Sequence, residues 1–585
     1  MKVFLTTLNA KFVHTALSLW YLYHYARANL GNGNRDLELQ FREFNINQDL
    51  NWVCGEIYSE RADVIGFSCN IWNMELILVI CRRIKQLAPK TIIILGGPEA
   101  SAEPEELLAQ YPVVDFIVVG EGEITFTEWL KELSKNQPDW SSINGLVYRE
   151  AGRVLTNSAR ALIDDLGELP FPYPEDLTPF RRKLVYYEAS RGCPYNCQYC
   201  LSANERQVRF FPLERVQQEL LRFVTAEIAQ VKFVDRSFNC NPDRAKRIWR
   251  FLLEHPGSTN FHFEIIGDLL DDESIDILSL APPGLFQFEI GVQSTNPGTL
   301  ELIQRKMNFA RLSGQVSKLL TKRNVFVHLD LIAGLPGEDY HSFARTFNEN
   351  MAIRPDRLQL GFLKLLKGSG LRDKADEYGY IFTAEAPYEV LANRWISYEE
   401  LLQLKVIEDL LERYHSSGRF ATSLEYLFAL FPSPFAMFES LAFWWKTRGF
   451  DQFSHKEKDL YAYLLQFHQS VKHDPGIILR NLLKYDLLTW ERMVELPDWA
   501  GTNRPELKNF GYQFWLDGRN IERFIPEFKG LTVREIQRRV LFVDFEFNPL
   551  KLPVHPQTPP GMQPQILLFV YCGKKARVVP LEIKF

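Results

Sequence analysis

Cysteine is scarce in this chain: eight in 585 residues, too few and too scattered for a disulfide-stapled scaffold. An excess of one charge sign is also missing. The formal net charge of −6 leaves no global basic footprint, so composition gives no argument for nucleic acid as a partner. Long apolar runs are lacking as well. The longest, TIIIL at 91–95 and DFIVVG at 115–120, have the length of strands, and no charged, apolar, small-residue leader pattern opens the chain. No membrane is therefore expected, and a soluble cytoplasmic protein is. There is no GxGxxG phosphate loop; the nearest match, GNGN at 31–34, falls between a helical and a strand pattern and predicts a turn. Core material, by contrast, is ordinary. With 46% apolar and 24% charged residues each domain can bury its own interior, and the length suggests roughly three or four domains.

Three of the eight cysteines crowd into one octapeptide, CPYNCQYC at 193–200. Cys193, Cys197 and Cys200 can close around one metal centre but leave it a ligand short. Zinc normally takes four ligands in spaced pairs, and no second CxxC or HxxxH follows. Three thiolates on a cubane iron–sulfur cluster ligate three irons and leave the fourth open to a small chelating molecule. Cys54, Cys69, Cys81, Cys240 and Cys572 are scattered, and are expected to be small buried hydrophobes or inert thiols.

From Val3 to about 140, five short β-branched runs alternate with helical patterns, which predicts an α/β doubly wound, Rossmann-like parallel sheet. Ligands of such sheets bind at the carboxyl ends of the strands, here the loops 9–14, 68–73, 96–101 (GGPEAS) and 120–123 (GEGE). Residues 141–182 read as a hairpin-like piece and a connector stiffened by Pro170, Pro172, Pro174 and Pro179. Six strand–helix units between 183 and 370 predict a partial (β/α)6 TIM-type barrel, with strands at 184–190, 231–235, 261–266, 286–294, 325–334 and 357–363. The cysteine loop follows its first strand. From 371 to 585 the pattern becomes a mainly helical α+β region, with Trp444 and Trp445 as core and strand-like runs at 540–547 and 566–573. Its histidines, 415, 455, 468, 473 and 555, have no metal-like spacing.

On these residues the middle of the chain resembles the radical S-adenosylmethionine (SAM) superfamily. The front, through GGPEAS and VDFIVVGEGE at 114–123, resembles the cobalamin-binding domain that many of those enzymes carry. The resemblance implies a [4Fe–4S] cluster on Cys193, Cys197 and Cys200, with the amino and carboxylate groups of SAM on its open iron. It implies that Tyr199 packs against the adenine of SAM. It further implies that Glu264, Gln293, Arg305 and Asp330 contact SAM, on the EI, GVQ, downstream-Arg and DLIxGLPGE patterns of the coproporphyrinogen-oxidase-like branch. Ser68, Gly96, Gly97 and Gly120 would embrace cobalamin. Two departures matter. VDRSF from Val234 replaces the Gly-Gly-Glu segment, which leaves the roles of Asp235 and Arg236 open. The Asp-x-His-x-x-Gly box is absent, its loop reading NAKFVH, so His14 is expected at a helix start and cobalamin without a protein histidine below the cobalt.

The activity so implied starts from an external one-electron donor such as flavodoxin or ferredoxin. Cleavage of SAM gives a 5′-deoxyadenosyl radical that takes a hydrogen atom from an unactivated carbon of an unidentified substrate, and methyl transfer from cobalamin follows. The alternatives are oxidation or cyclisation without methyl transfer, a methylthiotransferase with a second cluster on Cys54, Cys69 and Cys81, and a sensor that binds both groups without turnover. The last third resembles an extension carried by one subgroup of these enzymes, and is expected to shape a substrate or partner site.

Overall fold

A computed structural model describes residues 1–31, 37–493, 495–551 and 563–581. Asn32 to Asn34 of the expected GNGN turn, and His555, lie outside the described residues. The chain divides into two compact units, one made of 1–355 with 360–401 and the other of 356–359 with 402–585.

The first unit opens with a seven-stranded sheet: β1 (Lys2–Asn9), β2 (Glu38–Asn45), β3 (Val64–Ser68), β4 (Ile92–Gly96), β5 (Phe116–Val118), β6 (Leu146–Glu150) and β7 (Arg153–Thr156). The order is β2-β1-β3-β4-β5-β6-β7, parallel through β5. Strands β1 and β3 are almost wholly buried because helices cover both faces, each face with its own apolar cluster. The chain reverses direction across the sheet between β1 and β3, so their carboxyl ends flank the crevice where such sheets take ligands.

The hairpin expected in the linker belongs to this sheet. Strand β5 has only three residues and would leave an apolar edge unpaired; β6 and β7 add on antiparallel and bury Leu146, Val147 and Tyr148.

The six-stranded sheet of the partial barrel follows, in the order β15-β14-β13-β12-β11-β8. Its strands are β8 (Leu184–Tyr187), β11 (Gln230–Phe233), β12 (Asn260–Ile265), β13 (Phe286–Gln293), β14 (Phe326–Ala333) and β15 (Arg357–Phe362), with a two-residue ribbon, β9 (Ser190–Arg191) and β10 (Arg209–Phe210), inserted after the first. Period-two alternation sorts the side chains. Phe233, Phe263 and Phe288 face the helices, the first two rings 4.5 Å apart and stacked. Lys232, Glu264 and Glu289 face inward, and His262 pairs with Glu289 at 3.0 Å.

The open edge of β8 is not left bare. The loop after β1 runs beside it: the Leu184 amide donates to the Val13 carbonyl (2.8 Å) and the Tyr186 amide to Thr15 Oγ1 (3.2 Å).

The first unit continues past the barrel strands to 401. A small hairpin, β16 (Ile381–Phe382) with β17 (Val390–Ala392), keeps this stretch attached. Tyr388 Oη donates to Glu99, Lys367 pairs with Glu103 at 2.8 Å, and Tyr380 Oη and Asn393 Nδ2 both donate to the Gly334 carbonyl.

The second unit packs the helices Ala421–Ala429, Pro434–Thr447, Glu457–Lys472 and Ile477–Trp490, with Trp444 and Trp445 buried as expected. An antiparallel sheet of β18 (Val540–Phe545), β19 (Gln565–Val570) and β20 (Arg577–Leu581) follows. The first two are the strand-like runs of the sequence. The third, RVVPL, is short, half-exposed and interrupted by proline, and so carries no strand pattern. Among the described residues no single helix is long and apolar enough to cross a membrane.

Candidate active site

The cysteine loop is closed at its neck. Strands β9 and β10 pair antiparallel, Arg191 with Arg209 and Ser190 with Phe210, so residues 192–208 leave and return at one point. Gly192 has φ +91°, and a Cβ there would lie 2.1 Å from the Gln207 carbonyl oxygen; only glycine passes. The Cys193 amide donates to the Glu205 carbonyl (2.9 Å) and the Cys200 amide to that of Cys197 (3.0 Å).

Asp235, whose role the sequence leaves open, braces this neck from the end of β11. It accepts from Ser190 Oγ (2.5 Å) and from the Ala189 amide (2.9 Å), and burial raises its pKa to about 7. Ser237, two residues on, stands 3.4 Å from Cys193 Sγ.

The three thiols open into a cavity of about 190 Å³ at the carboxyl end of the barrel strands. Tyr199, Glu264, Gln293, Arg305 and Asp330 line the same cavity, together with Tyr195, Arg236, Ser237, Glu289 and Gly291. All eight expected cluster and SAM residues, drawn from 193 to 330, therefore meet in one place.

Arg305 connects them. Its Nη1 donates to Tyr199 Oη (3.1 Å) and toward Cys197 Sγ (3.6 Å), and its Nη2 donates to the Gly291 carbonyl. Burial opposes the guanidinium charge, but Tyr199 and Cys197 outweigh it and its pKa rises. Gln293 has φ +71° beside a register shift in β13, a rare conformation for a side-chain-bearing residue. That bend folds its amide back over Gly291, where a Cβ would lie 2.2 Å from Gln293 Nε2. Burial raises the pKa values of Glu264 and Asp330, and Asp330 stands 3.0 Å from His328 Nε2.

Sequence reasoning missed Glu289, which lines the cavity, and His262, which pairs with it. The signal was available: in β12 and β13 polar residues recur at every second position between phenylalanines, which marks a polar interior.

The donor set fits a cluster and its ligand. Cys193 and Cys197 are buried, Cys200 is half-buried, and Gln293 Oε1 and Arg305 Nε are buried polar atoms at the cavity without partners among the described residues. Among the described residues no three His, Cys, Asp or Glu side chains approach closely enough to hold a single metal ion. A lone zinc would draw its thiolates in to about 2.3 Å each. A cubane presents three separate irons and holds its thiolates farther apart.

At the first sheet, Ser68 ends β3 and pairs in register with Gly96, the last residue of β4. Ser68 Oγ lies 3.0 Å from Ser18 Oγ. Gly97 (φ +95°) has an internal reason, since its Cβ would strike the Cys69 carbonyl oxygen at 2.5 Å. Gly120 (φ +79°) faces open space, with nothing within 4 Å of its Cβ position. His14 lies in the loop along β8 rather than at the helix start, which is Leu17; its ring meets Tyr186 edge-on, centroids 5.7 Å apart. Cys54, Cys69 and Cys81 belong to the apolar core under this sheet, and burial raises all three thiols, so they stand as packing residues and not as a second cluster site.

Comparison with known proteins matches three domain models in this order: B12 binding domain at residues 5–130, Radical SAM superfamily at 187–349, and a protein of unknown function, DUF4080, at 376–569. The chain carries a B12-binding domain and a radical SAM domain. A curated relative, 2-(S-pantetheinyl)-carbapenam-3-carboxylate methyltransferase of Streptantibioticus cattleyicolor, is 28% identical over 297 residues, which cover 48% of this chain and 44% of the relative. The chain thus spans about half the length of the curated relatives it matches. Among solved structures, the radical SAM methyltransferase TsrM of Kitasatospora setae, with cobalamin and a [4Fe–4S] cluster bound, aligns with a TM-score of 0.55 at 17% identity, over 66% of this chain and 79% of that one. The cobalamin-dependent SAM radical enzyme OxsB, with aqua-cobalamin and SAM bound, aligns with a TM-score of 0.54 at 17% identity, over 90% and 80%. At such identity the likeness is one of fold: a Rossmann-like B12-binding domain followed by a radical SAM barrel.

Proposed function

We propose that this chain is a cobalamin-binding radical SAM enzyme that methylates an unactivated carbon. The observation that carries the reading is the convergence of Cys193, Cys197, Cys200, Tyr199, Glu264, Gln293, Arg305 and Asp330 on one cavity at the active end of the barrel.

In this reading the three cysteines hold the cluster, and the unpartnered Gln293 and Arg305 atoms receive SAM. Bound there, a [4Fe–4S] cluster supplies the electron that cleaves SAM, and cobalamin in the first domain supplies the methyl group. The chain's own part is orientation and exclusion of water. Arg305 ties the cysteine loop to β13, so the walls of the cavity keep their spacing. Ser68, Gly96, Gly97 and Gly120 would hold cobalamin at the sheet crevice, and His14, outside that set, is turned to Tyr186. An external one-electron donor of the flavodoxin or ferredoxin kind and an as yet unassigned substrate complete the reaction.

The test is anaerobic reconstitution followed by iron analysis and an ultraviolet–visible spectrum with cobalamin. Incubation with dithionite and methyl-labelled SAM comes next. Deoxyadenosine with label in a product supports methyl transfer. Deoxyadenosine without label transfer supports oxidation or cyclisation, and an intact cluster that forms no deoxyadenosine points to a sensor.

A further inference from the structure

The second unit has a cavity of its own. About 110 Å³ in volume, it lies between the helix Ile477–Trp490, residues 500–502 and the end of β18, and Arg480, Asn481, Lys484, Thr502, Asp544 and Glu546 line it. Arg480 and Lys484 stand one helical turn apart, on one face.

Among the described residues both cations are short of partners. Lys484 is 5% exposed; its Nζ donates to the Asp544 carbonyl (2.9 Å) and lies 5.1 Å from the centre of the Phe545 ring. An ammonium has three hydrogens to place, and these contacts engage one by hydrogen bonding. Burial pushes the Lys484 pKa down, and Asp544 and Glu546 offset that only in part. Among the described residues Arg480 Nε is buried without a partner.

The carboxylates of the lining are engaged elsewhere or loosely. Asp544 accepts from the Arg504 amide (3.2 Å) and lies 3.3 Å from Arg504 Nε, while Glu546 accepts from Asn481 Nδ2 at 3.3 Å.

A carboxylate between Lys484 and Arg480 would supply acceptors to both, through charge-assisted hydrogen bonds in a partly dry site. A lone dianion would meet Asp544 and Glu546 across the same small volume, and like charges repel there. A ligand with an ammonium next to its carboxylate answers both walls. We propose that this cavity binds a small zwitterion of the α-amino-acid type, its carboxylate on Lys484 and Arg480 and its ammonium toward Asp544 and Glu546. The volume is enough for an alanine-sized molecule. The site is independent of the cluster, so its failure would leave the radical SAM reading untouched.

The test uses the full chain, with calorimetric titration and ligand-dependent thermal unfolding. The probes are glycine, L-alanine and L-serine, with acetate, methylamine and inorganic phosphate as controls. At least one of the three amino acids is expected to bind saturably and raise the melting temperature, with acetate and methylamine at least tenfold weaker. Arg480→Gln and Lys484→Met should each weaken that binding at least tenfold. Arg480 is at the half-buried rim, so Arg480→Gln decides if Lys484→Met does not fold. Phosphate binding as tight as the amino acids, no amino acid binding, or wild-type affinity in Arg480→Gln would overturn the proposal.

Discussion

Arg191 Nη2 donates to Glu123 Oε1 at 2.6 Å, while its Nη1 donates to Glu121 Oε1 at 3.0 Å. The two acids of GEGE thus leave the B12-binding domain to grip the residue two places before Cys193. Glu188 joins at 2.8 Å, and Arg209 takes Glu121 from the other side at 2.9 Å. The network fixes the neck of the cysteine loop to the first sheet.

Arg191 is nearly buried, its side chain 12% exposed, and Glu123 beside it 7%. Arg191→Met takes the guanidinium from three carboxylates, of which Glu121 keeps Arg209, and is expected to cost roughly 3–5 kcal/mol of stability. Glu123→Gln alone should cost less, since Arg191 keeps Glu121 and Glu188. Denaturant unfolding of both single variants and the pair gives the coupling, and a pair that behaves as the sum of its singles would remove Arg191–Glu123 as a tie. Iron content after reconstitution should fall in Arg191→Met, because Cys193 lies two residues away.

The cysteine octapeptide, five strands of the first sheet, six of the barrel and the order of the residues that line the cavity were legible because each rests on local spacing or on strand periodicity. The ties between domains were not. Arg191 and Glu123 are 68 residues apart, and nothing local says that GEGE is a docking element. The β6–β7 hairpin reads as a linker for the same reason, since its place depends on the short β5 needing an edge partner. That the backbone of Cys69 also demands glycine at Gly97 is equally invisible in the sequence.

That demand separates Gly97 from Gly120. At Gly97 φ is +95° and ψ +170°, a region open essentially to glycine alone, and the Cys69 oxygen blocks a Cβ. Gly97→Ala should cost about 3 kcal/mol or more and destabilise the B12-binding domain with or without ligand. Gly120→Ala should cost only about 1–2 kcal/mol, because strain acts there without a clash. Its effect should appear in cobalamin affinity, read by spectral titration; unchanged affinity would take Gly120 out of the cobalamin cradle.

Arg305 donates to three groups in a plane that lysine cannot reproduce: Tyr199 Oη, Cys197 Sγ and the Gly291 carbonyl. Arg305→Lys keeps the charge and loses the fork. SAM affinity should drop roughly ten- to a hundredfold, the equivalent of about 1.5–3 kcal/mol for hydrogen bonds to a charged group. Iron content should change little, because the cysteines remain. Equal SAM binding by the two proteins would assign Arg305 to loop packing alone.

Glu338, in GLPGE, offers the cleanest pH dependence. It is 1% exposed; Oε1 accepts from Ser294 Oγ (2.6 Å) and Thr346 Oγ1 (2.9 Å), and Oε2 has no partner among the described residues. Burial raises its pKa to about 7, with the two hydroxyls only partly offsetting that. A carboxyl whose folded pKa is raised binds its proton more tightly in the native state. Its contribution is therefore fully present below pH 4.5, the ordinary glutamate value, and is lost as pH climbs to 7. The loss is roughly 3 kcal/mol, at about 1.4 kcal/mol per pH unit. Glu338→Gln keeps both hydroxyl donors on Oε1 and places an uncharged NH2 where Oε2 is unpartnered. Chemical denaturation at pH 5 and pH 8 should show the wild type losing more stability than the variant over that interval, with the variant the more stable protein at pH 8. Asp235, buried with its pKa raised to about 7, adds a fall of the same sign to both proteins and cancels in the difference. Parallel curves for the two proteins would mean that Glu338 is ionised and solvated in the native state.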